Sequence, residues 1–122
     1  MLNQEQLTFL KEIHHPKGNL EKLTCYETLI EARVNGELIG LAGTVKRHHV
    51  INSLFLVVKQ EHRGQGIGSN LFKQLWASKK QKPWLTVYKD NLVALKLYKN
   101  YYYFIPYFHG KLLGIPKKVK LE

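Results

Sequence analysis

The stretch Ile51-Asn-Ser-Leu-Phe-Leu-Val-Val58, then Arg63-Gly-Gln-Gly-Ile-Gly68, then Ser69-Asn-Leu-Phe-Lys-Gln-Leu-Trp76, decides how this chain is read. The first part is short, β-branched and aromatic, as a buried strand is. The last part sets Leu71 four residues before Leu75 and Phe72 four before Trp76, the spacing of a helix face. A strand that enters a helix through three glycines presents the helix's first, unpaired N–H groups at the positive end of its dipole. With no Cβ in the way, that backbone accepts a bulky anion, a phosphate or pyrophosphate. No Gly-Lys-Ser/Thr closes the loop, so it is not a P-loop. The Gly-x-Gly-x-Gly spacing, with Asp90 the only later aspartate, fits the dinucleotide fingerprint poorly.

Outward from this loop, the pattern predicts an α/β chain. Upstream, Tyr26–Val34 and Glu37–Lys46 read as strands joined at Asn35-Gly36, a pair suited to the two positive φ angles of a type I′ hairpin. Gly40 and Gly43 thin the second strand where something packs closely. Val50–Lys59 is a third strand, which completes an antiparallel meander. Asn3 caps a first helix with Gln6 at the capping-box position and Leu7, Leu10 and Ile13 on one face. His15-Pro-Lys-Gly18 ends it, and Leu20–Leu23 adds a turn.

Downstream, a helix runs from about Gly66 to Lys79, and Pro83–Val87 is a strand. Asp90 or Asn91 caps a helix bearing Leu92, Leu95 and Tyr98. Phe104–Phe108, a turn at His109-Gly110 and a strand from Leu112 form a closing hairpin. The alternation of strand and helix over residues 51–108 implies at least one parallel pairing.

The 122 residues suit one domain, 1–122, with an ordinary apolar content of 44%. No apolar run reaches the roughly 18 residues that cross a bilayer. The N-terminus lacks the basic and apolar regions of a signal peptide. Cys25 is the sole cysteine, which excludes an internal disulfide. A cytoplasmic protein without membrane partners is the simplest expectation. Residues 1–58 carry six Lys/Arg and six Asp/Glu, whereas residues 59–122 carry thirteen against three, so the net +10 lies entirely in the second half. Such a half suits a polyanionic cofactor, and nucleic acid would feel the same field. The adjacent pairs His14-His15 and His48-His49 lack metal-ligand spacing, and no metal is expected.

Arg63-x-x-Gly66-x-Gly68 resembles the acyl-CoA pyrophosphate loop of the GCN5-related N-acetyltransferases, the GNAT family, where it also lies between a strand and a helix. Asn91-x-x-Ala94-x-x-x-Tyr98 resembles that family's later helix, whose asparagine contacts the pantetheine arm and whose tyrosine lies near the thioester sulfur. The resemblance covers roughly residues 26–121. It implies a GNAT-like mixed central sheet, an antiparallel meander plus a parallel strand pair, flanked by helices, with a shortened N-terminal region. It implies acetyl-CoA as co-substrate, held by Arg63, Gly64, Gln65, Gly66, Ile67 and Gly68 at the pyrophosphate. Asn91 and the backbone of Leu56, Val57 and Val58 would hold the pantetheine. Tyr98 would act as general acid on the leaving thiolate, and a primary amine would attack directly, with no covalent enzyme intermediate.

Three departures stand out. The family's Gly-Phe after the helix is replaced by the Tyr101-Tyr102 region. Thr86 occupies the position of a catalytic glutamate found in several members. Ser53 and Leu54 stand in the other strand region where a carboxylate base is common. Glu27, Glu31, His48, His49 and His109 remain as candidate bases. The short N-terminal region implies an exposed acceptor site, suited to a protein, peptide or RNA-linked amine, or completed in a homodimer. The competing readings are a catalytically weak CoA-binding module of the same fold, and a small basic nucleic-acid-binding protein that uses Tyr101-Tyr102-Tyr103-Phe104.

Overall fold

A computed structural model describes residues 2–13, 26–47 and 51–117. The expected stop at residues 15–18, the turn at 20–23, Cys25 and the pairs His14-His15 and His48-His49 lie outside the described residues. The elements run α1 (Gln4–Ile13), β1 (Tyr26–Val34), β2 (Glu37–Arg47), β3 (Ile51–Val58), α2 (Ile67–Ser78), β4 (Leu85–Tyr88), α3 (Leu92–Tyr98), β5 (Tyr102–Pro106) and β6 (Lys111–Pro116). Short 3₁₀ turns occupy Gln60–His62 and Phe108–Gly110.

Local chemistry sets several of these boundaries. Asn3 and Gln6 form the expected reciprocal cap, Gln6 N–H donating to Asn3 Oδ1 at 2.8 Å and Asn3 N–H to Gln6 Oε1 at 3.0 Å. Asn35 and Gly36 turn the β1–β2 hairpin at φ 51° and 83°. A Cβ on Gly40 would lie 3.0 Å from Leu71 Cδ1, so the glycine lets α2 approach β2 closely. The buried face of α1 is Gln6, Phe9 and Leu10, with Leu7 only half-buried.

The strands form two antiparallel sheets, ordered β1-β2-β3 and β4-β6-β5. They meet at one parallel bridge, Ser53 with Trp84, where Leu54 N–H donates to Trp84 O at 2.6 Å. The expected parallel strand pair is thus reduced to this bridge rather than a ladder. β6 returns between β4 and β5 and pairs with both, so those two strands do not pair with each other. β5 starts at Tyr102, two residues earlier than expected, because the Tyr102 ring is buried and its hydroxyl donates to Pro83 O at 2.7 Å. The turn after α3 needs no glycine. Lys99 stays helical at φ −59°, and Tyr101 N–H donates to Tyr98 O at 2.9 Å.

Alternation along β3 fills both faces of the first sheet. Phe55 and Val57 pack with Phe9, Leu10, Leu38 and Leu41 under α1. Leu54 and Val58 pack with Ala42 and with Leu71, Phe72 and Leu75 of α2. The second sheet turns Leu85, Val87 and Tyr102 into that same α2-side core. There Phe72 is ringed by Trp76, Tyr98, Tyr101 and Tyr102 at centroid distances of 4.9–6.3 Å.

Candidate active site

The glycine loop joins β3 to α2 as its sequence predicts. Gly66 is the N-cap of α2 at φ 81°, and no side chain caps the helix. The first helical bond runs from Asn70 N–H to Gly66 O at 3.0 Å. No α-helical bond therefore claims the N–H groups of Ile67, Gly68 and Ser69, and no acidic residue sits in the first turn. Gly64 also has φ 81°, and a Cβ on either Gly64 or Gly66 would meet open space. Arg63 and Gln65 are exposed; Arg63 Nε donates to Val58 O at 2.9 Å and ties the loop to the end of β3.

Beyond Ser53 the two sheets part. Leu54 N–H points at Trp84, and Lys59 N–H bonds back to Ile39 O at 2.8 Å. Between those two residues the antiparallel alternation turns the N–H groups of Leu56 and Val58 away from β2, into the gap beside β4. The backbone of Val57 faces β2 instead, opposite Leu41. A wedge thus opens from Trp84 toward the glycine loop. Leu56 and Val58 line it beneath Gly68, whose Cβ would lie 3.4 Å from Leu56 Cδ2.

Asn91 follows β4 by three residues as the N-cap of α3. Its Oδ1 accepts from Ala94 N–H at 3.2 Å, and its exposed amide nitrogen remains a donor. Seven residues on, Tyr98 is only 6% exposed and packs edge-on against Phe72 at 5.1 Å. Among the described residues its hydroxyl donates no hydrogen bond. Burial pushes the Tyr98 hydroxyl well above its ordinary pKa, so it stays a neutral phenol and a hydrogen-bond donor.

The candidate bases fall in different places. Glu31 accepts from Arg33 Nε at 2.9 Å and Gln6 Nε2 at 2.8 Å. The Arg33 hydrogen bond, with that of Gln6, holds its carboxyl below the usual glutamate range. It serves to dock α1. Glu27 pairs with Thr44 and Ile30 with Ala42, so one extra residue of β1 lies between them. The bulge turns Glu27 to the same sheet face as Ala42, toward α2. His109 sits at the β5–β6 tip with φ 57°. Thr86 is exposed on β4, on the face away from α2. A concavity of about 430 Å³ lined by Gln4, Thr8, Phe9, Glu37, Leu38 and Lys59 lies on the α1 side, away from the wedge, and Lys59 closes on Glu37 there at 2.7 Å. Sequence reasoning missed the Arg63–Val58 tie and the β1 bulge. No local pattern announces either.

Among the described residues, no group of three His, Cys, Asp or Glu is placed to hold a metal ion. Nor is any helix there long and apolar enough to cross a membrane.

The fold has clear relatives among solved structures. The ribosomal-protein-S18-alanine N-acetyltransferase of Escherichia coli superposes with a TM-score of 0.67 at 19% identity, covering 99% of this chain and 94% of its own. The ribosomal-protein-alanine N-acetyltransferase of Brucella melitensis gives 0.68 at 14% identity, covering 93% of each chain. A Salmonella typhimurium protein classed among acetyltransferases and solved with its cofactor acetyl-CoA gives 0.58 at 15% identity, over 77% of this chain and 64% of its own. No curated protein matches the sequence. The model of the acetyltransferase (GNAT) family matches residues 2–102, which include the glycine loop, Asn91 and Tyr98. The chain belongs to the GNAT acetyltransferase family, and it has that family's fold.

Proposed function

We propose that the chain is an acyl-CoA-dependent N-acyltransferase that moves an acetyl group from acetyl-CoA to a primary amine by direct attack within a ternary complex. The observation that carries this reading is the N-terminus of α2, capped by left-handed Gly66 and free of side-chain caps and carboxylates. The N–H groups of Ile67, Gly68 and Ser69, with Arg63 and Gln65 beside them, form an anion cradle suited to a pyrophosphate. The splayed edge of β3 supplies Leu56 and Val58 N–H groups for an extended amide-bearing arm, and Asn91 adds a side-chain amide. Acetyl-CoA brings an activated acyl thioester to these groups. Tyr98, neutral and without a hydrogen-bond acceptor among the described residues, hydrogen-bonds the departing thiolate, and its raised pKa favours that role over full proton transfer. Glu27 is the described carboxylate candidate on the α2-facing side of the sheet, so it is the proposed proton acceptor, directly or through water.

Titration calorimetry with acetyl-CoA tests the reading. We expect binding, and silence at millimolar ligand overturns it. Gly66→Val places a Cβ at φ 81° and blocks the cradle, so binding should fall by about a hundredfold or more. Tyr98→Phe should keep the affinity and lower turnover by about tenfold or more. Thr86, in place of a carboxylate, favours one competing reading, a CoA-binding module with weak catalysis. Tight binding without thiol release across a broad amine panel would establish that reading instead.

A further inference from the structure

The face of the second sheet that turns away from α2 carries no described helix. Cross-strand partners share a face, so the pairing identifies what lies on it: Tyr88 opposite Lys111, Ile105 opposite Leu113, and Tyr103 opposite Ile115. Tyr88 is 57% exposed, Tyr103 61% and Ile105 43%. Lys111 Nζ lies 5.2 Å from the Tyr88 ring centroid, and Lys117 Nζ lies 5.1 Å from that of Tyr103. Ladder spacing puts the two tyrosines about 10 Å apart across the strands and about 14 Å along them.

Charge selects the occupant. Residues 84–117 contain five lysines and a single carboxylate, Asp90. A second copy of a chain carrying +10 would oppose like charge to like. A partner that offers flat rings and regularly spaced anions matches both features of the face. We propose that this face binds a single-stranded nucleic acid, with bases stacked on Tyr88 and Tyr103 and phosphates paired with Lys111 and Lys117. Each lysine already rests over its ring, and a docking base would displace the ammonium toward the adjoining phosphate. Sheet platforms with exposed aromatic rings hold single strands by this combination.

The face adjoins the wedge. Asn91 N–H donates to Tyr88 O at 3.0 Å, and Thr86 lies on the same face as Tyr88. On the acyltransferase reading, on which this extension rests, the acceptor amine is one carried by an RNA strand.

Fluorescence anisotropy with labelled single-stranded RNA and DNA oligonucleotides of one sequence, across a salt series, tests the proposal on the intact protein. We expect binding that weakens by about tenfold or more in Tyr88→Ala/Tyr103→Ala, with acetyl-CoA affinity and melting temperature unchanged. Lys111→Gln should reduce the logarithmic salt slope by about 0.7. Affinity unmoved by removal of the rings overturns the proposal, as does stronger partition onto phosphatidylserine vesicles than onto either oligonucleotide. Loss of a dimer in Tyr103→Ala by sedimentation overturns it too and makes the face a self-interface. A preference for DNA keeps the docking face and removes the RNA-borne acceptor. Acetyl-CoA calorimetry is read separately, so failure of the docking face and failure of the donor site give different results.

Discussion

On β3, the neighbours Leu54 and Phe55 are both buried, one toward α2 and the other toward α1. On β5, Tyr102 is buried while its neighbour Tyr103 lies open. The first sheet is packed on both faces, and residues 1–58, which supply it, balance their charge; the second is packed on one face and lies within the basic half. The difference shows how the fold divides its work. A sheet held by cores on both sides can let its last strand peel from its neighbour and turn backbone N–H groups into a wedge, because Phe55 and Val57 still anchor that strand under α1. The second sheet closes the wedge from one side, and no described helix covers its other side.

The largest test of this contrast is stability. Leu54→Ala should cost about 2–5 kcal/mol and Phe55→Ala about 3–5, since both leave cavities in packed cores. Tyr102→Ala should fall in the same range as Phe55→Ala, because it removes a buried ring and leaves Pro83 O unpaired. Tyr103→Ala should stay within about 0.5 kcal/mol of the parent. Urea unfolding of the four variants measures all of these. A Tyr103 loss as large as that of Tyr102 would break the comparison, because the outer face would then be covered.

Asn91 caps α3 just past the end of β4, and two substitutions separate its roles. Asn91→Ala removes the cap of α3 and should cost about 1 kcal/mol. Asn91→Asp keeps an oxygen for Ala94 N–H but loses the amide donor, so thermal stability should persist while acetyl-CoA affinity drops severalfold. An Asp variant that binds acetyl-CoA like the parent would reduce Asn91 to a cap alone.

What could be read along the chain and what could not follows the same division. The Asn3/Gln6 cap, the Asn35-Gly36 turn and the left-handed Gly66 are local, and each residue type states its own backbone need. The proposed donor site is built largely from such signals, which is why Arg63 to Gly68 and Asn91 sit on the loop and cap predicted for them. The insertion of β6 between β4 and β5 is a non-local choice that no window of residues contains, and parallel pairing among the described residues is the single Ser53–Trp84 bridge. The run Tyr101-Tyr102-Tyr103-Phe104 gave no clue to which ring faces out. Tyr101 packs on Phe72 and Trp76, Tyr102 is buried, Phe104 leans on the core, and Tyr103 alone is open. Glu27 is a similar case. Its face depends on a bulge that β-alternation in the sequence does not reveal.

The smallest effect concerns charge on the first sheet. Arg33 bridges Glu5 at 2.7 Å and Glu31 at 2.9 Å, and Gln6 adds a bond to Glu31, so α1 is docked partly through carboxylates. The Arg33 hydrogen bonds hold both glutamates below the ordinary value of 4.5. Because the folded pKa values are depressed, this contribution is complete above the unfolded value and disappears as pH falls through the lowered folded ones. Melting temperature should therefore drop more steeply below pH 4.5 in the parent than in Glu31→Gln, which has no proton to take up. The bridges are exposed, so the difference should be a small one, and it should shrink in high salt. If Glu31→Gln leaves that limb as steep as in the parent, acid sensitivity is not seated in the α1 contact, and the electrostatic half of the contrast between the two sheets fails.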